Sequence, residues 1–144
     1  MRQEDFIDFL RTLKPNDWQA EVNSRWTIKD VVAHMVGWEK GDCEIIRDTW
    51  KTKELPWFYK TTDFDDFNKK SIILYKSYSP QKLIKEWEKW RRNVKEEIDK
   101  IGKSELKKRP DLFRWLFEDE DPKRIKPTHY ELHYMQIKKS LKKN

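Results

Sequence analysis

Residues 79–102, "SPQKLIKEWEKWRRNVKEEIDKIG", constrain the fold more than any other stretch of the chain. Ser79 suits a helix N-cap, and Pro80 suits the first helical position, where its missing N–H costs nothing. Leu83, Trp87, Trp90, Val94, Ile98 and Ile101 then recur at helical spacing and form one apolar stripe. Gly102 is a natural C-cap. A helix with one apolar stripe must bury it against another layer. The sequence has no strand alternation and no hairpin dipeptide of the Asn-Gly type. The expected partners are therefore helices.

Three other segments supply them. The first spans about Gln3 to Lys14, with Phe6, Leu10 and Leu13 at helical spacing and Pro15 as a stop. The second opens on Thr27 as N-cap, with Asp30 completing a capping box and Trp26 and Val31 forming a hydrophobic staple. It carries Ile28, Val31, Met35 and Trp38 inward and is predicted to run to about Trp50. The last begins at Thr128 and runs to about Leu141; spacing places His129, Leu132, His133, Gln136, Ile137 and Ser140 on its inward face. Long connections separate these segments. One, "PWFYKTTDFDDFNKKSIILYKSYS", is rich in aromatics and is predicted to hold a short helix within residues 63–78; the other is "RPDLFRWLFEDEDPKRIKPT". The expected class is all-α, a four-helix bundle with long crossover connections, in one domain over residues 1–144.

Charged residues make up 40% of the chain and hydrophobic ones 36%, a balance that would suit disorder. Eight Trp, seven Phe and five Tyr oppose that reading, because each buries a large apolar area. With three glycines and neither a GxGxxG nor a GxxxxGK pattern, no Gly-rich phosphate cradle is expected. The net charge of +6 comes from interleaved basic and acidic residues, which read as solvated helix faces. Nucleic acid is not an expected partner. No apolar run nears the roughly 18 residues of a membrane span, and the first residues lack the features of a signal peptide. Cys43 is the sole cysteine, so no internal disulfide can form and a reducing cytoplasm is the expected location.

The chain has three histidines: His34, His129 and His133. Residues four apart share one helix face, so His129 and His133 can aim two imidazoles at one point. His34 lies one turn from Val31 and Trp38, at the edge of the second segment's buried stripe. If those two helices are neighbours, three imidazoles converge and leave positions for water or substrate, as in catalytic metal sites. The plainer reading is that the pair is a coincidence of spacing, with each ring bonded to a neighbour. Spacing alone leaves both open.

The stretch "HYELH" is not the H-E-x-x-H motif: Tyr130 stands where the general base belongs, and Glu131 falls about 200° from His129, facing solvent. No general base is evident. Asp30 either orients the His34 ring or only closes the capping box, and Gln136 either serves a ring nitrogen or is a core amide. Cys43 is out of phase with His34 and suits packing. Trp38, Trp57, Phe58 and Tyr59 are candidates to wall a pocket or to fill the core.

"VNSRWTIKDVVAHMVGWEK", followed far downstream by "THYELHYMQIKK", resembles the DinB-like (YfiT-like) superfamily of metal-binding four-helix bundles. The middle, "DFNKKSIILYKSYSPQKLIKEWEKWRRNVKEEI", resembles its ClbS/DfsB-type branch, which includes a protein giving self-resistance to a genotoxin. The resemblance implies a bundle that is often a homodimer, with Trp26 before the second helix and a divalent ion on His34, His129 and His133. Zinc and nickel are common in the family. Characterised members include thiol S-transferases using bacillithiol, mycothiol or glutathione, and a maleylpyruvate isomerase. The implied function is a metal-dependent enzyme of S-transferase or hydrolase type acting on a small-molecule electrophile, with a low-molecular-weight thiol as cofactor. The alternative is a non-catalytic small-molecule-binding or toxin-protection protein of the same fold.

Overall fold

The computed structural model describes residues 1–142. Its α-helices are α1 (Gln3–Arg11), α2 (Ile28–Thr52), α3 (Asp65–Leu74), α4 (Pro80–Ile101), α5 (Lys103–Lys107), α6 (Pro110–Phe113) and α7 (His129–Lys142). Short 3-10 turns occupy Pro15–Gln19, Trp57–Tyr59 and Arg114–Glu120. Among the described residues the only β pairing is one isolated bridge between Glu21 and Thr27, so the fold is all-α. None of their helices is long and apolar enough to cross a membrane.

The centre of the molecule is α2. Its start is the expected one: the Asp30 N–H donates to Thr27 Oγ1 at 3.2 Å, and the Thr27 N–H donates to Asp30 Oδ2 at 3.0 Å. Beyond this cap Ile28, Val31, Val32, Met35 and Val36 are buried. They pack with Phe6, Ile7 and Leu10 of α1, Leu83, Ile84 and Trp87 of α4, and Ile137 of α7. Each such side chain contributes about 1.5–3 kcal/mol on burial. The Ser79 cap and Pro80 start of α4 are also as expected, and Gly102 ends it at φ 101°, a conformation a side chain would resist.

Four expectations need correction. First, α1 ends at Arg11 rather than near Lys14: the Thr12 hydroxyl donates back to the Phe9 carbonyl, and Pro15 opens a 3-10 turn. Second, the connection before α7 is not bare chain. It forms α5 and α6, whose Leu106, Leu112 and Phe113 make a second buried cluster under Trp50, Ile98 and Ile101. Third, α7 is rotated relative to its predicted face. Leu132 and Gln136 are exposed, while Tyr130, Tyr134 and Leu141 pack inward beside buried Ile137 and Ser140. The cause is aromatic: Tyr134 meets Phe6 and Phe9 of α1 edge-on at 5.6 and 5.1 Å, and this contact sets the rotation. Fourth, Glu131 is not simply solvated. It is mostly covered and holds both the N-terminal ammonium at 3.2 Å and Arg124 at 3.4 Å.

The short helix expected within residues 63–78 is α3, and it lies unusually close to α2. A Cβ added at Gly37 would fall on the Ser71 side chain. This close approach seats α3 against the middle of α2. Gly37→Ala is therefore expected to destabilise the fold by about 1–3 kcal/mol through overpacking. Thermal melts check it; Ser71→Gly in the same background should recover part of the loss, and an unchanged melting temperature for Gly37→Ala would contradict the close packing.

Candidate metal centre

His34 projects from α2, and His129 and His133 from the first turn and a half of α7. His129 Nε2 lies 3.2 Å from His34 Nε2 and 2.9 Å from His133 Nε2. The rings meet edge to face, with centroids 4.5–5.1 Å apart. His34 is buried, His133 is half-buried, and His129 is exposed at the edge of the core. The rotation of α7 produces this gradient, leaving one ligand face reachable from outside.

Two amides orient two of the rings. His34 Nδ1–H donates to Asn68 Oδ1 at 2.8 Å, and that oxygen also accepts from Trp38 Nε1–H at 3.1 Å. His133 Nδ1–H donates to Gln136 Oε1 at 2.9 Å. Each bond places the proton on Nδ1 and leaves Nε2 as a bare lone pair aimed at the common point. The Trp26 ring covers His34, with centroids 5.1 Å apart.

Burial, then the charges of His129 and His133, hold the His34 imidazole down at about 3. Burial and the charge of His133 hold His129 at about 4, and burial lowers His133. All three rings are therefore neutral near pH 7, the form that ligates a metal. An ion bound at 2.0–2.1 Å by neighbouring nitrogens separates them by about 2.9–3.4 Å. The two spacings from His129 Nε2 fall in that range, so the nitrogens stand where they can share one ion. The donor set fits a divalent ion.

The other anticipated residues are distributed unevenly. Asp30 serves the capping box and does not hold His34, whose partner is Asn68. Gln136, though exposed, does serve a ring nitrogen. Trp38 lines a cavity of about 1140 Å³ between α2, α4 and the segment before α7, and His129 lies on the same cavity. Trp57 and Tyr59 are not among its lining residues: Trp57 stacks on Trp38 with centroids 5.7 Å apart, and half-exposed Tyr59 packs on Phe58 at 5.0 Å. Cys43 is buried in α2, and burial pushes its thiol up.

Three functional candidates escaped the sequence reading. Asn68 lies one turn before Ser71 on the α3 face that meets α2, but its role depends on a contact across 34 residues of chain. Glu39 and Asp42 line the cavity from α2. Burial lifts the Glu39 carboxyl to about 7 and Asp42 well above the usual carboxylate range. A sequence signal existed: acidic residues continue a stripe that begins with His34 and Trp38 at i+4 and reaches Asp42 at i+8.

A family model described as the DinB superfamily matches residues 1–137. No curated protein and no solved structure matches the chain.

The histidine shifts have a defined consequence for stability. Unfolded imidazoles titrate near 6.5, whereas the folded ones are held lower. As pH falls below 6.5 the unfolded chain takes up protons that the folded triad refuses, so stability present at neutral pH is lost progressively toward pH 4. In chelator-treated protein, His129→Gln should show a smaller drop in melting temperature between pH 7 and pH 4.5 than the parent chain. Equal drops would contradict the buried neutral triad.

Proposed function

The chain belongs to the DinB superfamily, and we propose that it is a divalent-metal-dependent protein acting on small-molecule electrophiles, of S-transferase or hydrolase type. The observation that carries this reading is the convergence of three imidazoles, two of them oriented by amides, beside a cavity. His34, His129 and His133 would hold the ion through Nε2, and zinc or nickel suits this donor set. Such an ion supplies Lewis acidity, lowering the pKa of a coordinated thiol or water to near neutral.

The remaining work falls to the chain itself. Asn68 and Gln136 hold two rings in the ligating tautomer. Trp26 shields the His34 ring, while exposed His129 keeps the centre open to the cavity. The reacting thiol would come from a low-molecular-weight cofactor, because Cys43 is buried and its thiol is held protonated.

A second reading keeps the ion and drops the reaction. Among the described residues no carboxylate is hydrogen-bonded to the triad, so no proton acceptor stands next to the centre. That favours a small-molecule-binding or toxin-protection protein, in keeping with the likeness to the ClbS/DfsB-type branch. Electrophiles presented with bacillithiol, mycothiol or glutathione separate the two readings: repeated turnover supports the enzyme, and protection that stops at stoichiometric ligand supports the binder.

Elemental analysis of protein purified without a nickel column should find about one equivalent of zinc or nickel, lost in His129→Ala. Less than about a tenth of an equivalent in the parent chain, unchanged in the variant, would contradict the metal centre. Asn68→Leu, which removes the acceptor for His34, should weaken metal affinity about 10–100-fold, and Asn68→Asp should retain most of it. Competition against a chromophoric chelator measures both.

A further inference from the structure

Away from the histidines, the cavity wall carries polar groups that the metal centre does not use. Glu39 and Asp42 stand three residues apart on α2, and both face into the cavity. Gln3 of α1 lines the same cavity, and its Oε1 is buried without a partner. Trp87 of α4 is 1% exposed, lines the same cavity, and leaves its Nε1–H unpaired. A buried donor or acceptor without a partner costs about 1–3 kcal/mol. Two of them beside two carboxylates make a wall built to receive something polar.

The surrounding charges narrow its sign. Each of the two carboxylates is disfavoured as an anion by burial, and Asp42 also by the charge of Glu39. Asp119 adds to the negative field at Glu39. Arg91 opposes it, but the Arg91 guanidinium is engaged by Glu4 of α1. The hydrogen bonds of the imidazoles run to Asn68, to Gln136 and to one another, and none runs to Glu39 or Asp42. The acidic wall is thus a separate subsite rather than part of the ligand shell.

We propose that Glu39, Asp42, Gln3 and Trp87 form a subsite for a primary ammonium group carried by a small molecule that also bears a carbonyl or hydroxyl oxygen. The three N–H bonds of such an ammonium meet three acceptors: the two carboxylates and Gln3 Oε1. The neighbouring oxygen accepts from Trp87 Nε1–H. The inference deepens the proposed function by naming the substrate class as a basic amine whose distal part reaches the histidines, and it rests on that reading only for what happens at the other end.

Glycinamide, which is protonated at pH 7, and its neutral isostere glycolamide test the subsite by calorimetry and by the Trp87 indole N–H resonance, assigned from Trp87→Phe. Glycinamide should bind the parent chain and shift that resonance, glycolamide should bind at least about tenfold more weakly, and Glu39→Gln should weaken glycinamide by a similar factor. Thermal melts confirm that Glu39→Gln folds; it replaces a half-buried carboxylate by an amide of the same shape and should not destabilise. His129→Ala should bind glycinamide as the parent does, so a failed metal centre leaves this result intact. Equal binding of the two probes, an unaltered affinity in Glu39→Gln, a loss confined to His129→Ala, or no binding at all would each overturn the proposal.

Discussion

Burying an imidazole on the inner face of a helix is unfavourable unless both ring nitrogens are provided for, and the structure around His34 meets that demand. The Asn68 amide oxygen takes the Nδ1 proton and, through the same lone-pair set, the Trp38 indole proton. This leaves Nε2 facing α7, where the two other histidines present theirs. The packing follows the same need. Gly37 lets α3 come close enough to α2 for Asn68 to reach, and Tyr134 against α1 turns α7 so that its histidines lie at the core's edge. Stability and site geometry therefore share the same contacts.

The parts of this arrangement readable in the sequence are those set within one or two turns of chain. Thr27, Ser79 and Gly102 announce helix ends through local hydrogen bonding and backbone freedom, and each stands at its expected place. The i,i+4 spacing of His129 and His133 is likewise a local fact, and the DinB likeness of the flanking stretches agrees with the family match over residues 1–137. What escaped depends on distant contacts. Nothing near Leu132 shows that Tyr134 will prefer α1 and expose Leu132, and nothing near Asn68 shows that its amide will meet His34. The helices α5 and α6 are each shorter than two turns, and their apolar residues make sense only beside Trp50 and Ile98.

The cavity has two chemically distinct ends. One is bounded by His129 of the neutral triad, suited to a cation; the other has half-buried carboxylates and unpaired polar atoms. A site meant only to sequester metal would not need the second end. A site meant only to bind amines would not need three converging imidazoles. Trp38 lines the cavity and donates to Asn68, the residue that orients His34.

The central claim is that His34, His129 and His133 share one divalent ion. Crystals of protein purified without a nickel column, measured above and below the zinc and nickel absorption edges, test it most directly. The expected result is one anomalous peak equidistant from the three Nε2 atoms, present above only one metal's edge. Featureless density between the rings, with the imidazoles hydrogen-bonded to one another or to water in protein shown to contain metal elsewhere, would contradict it.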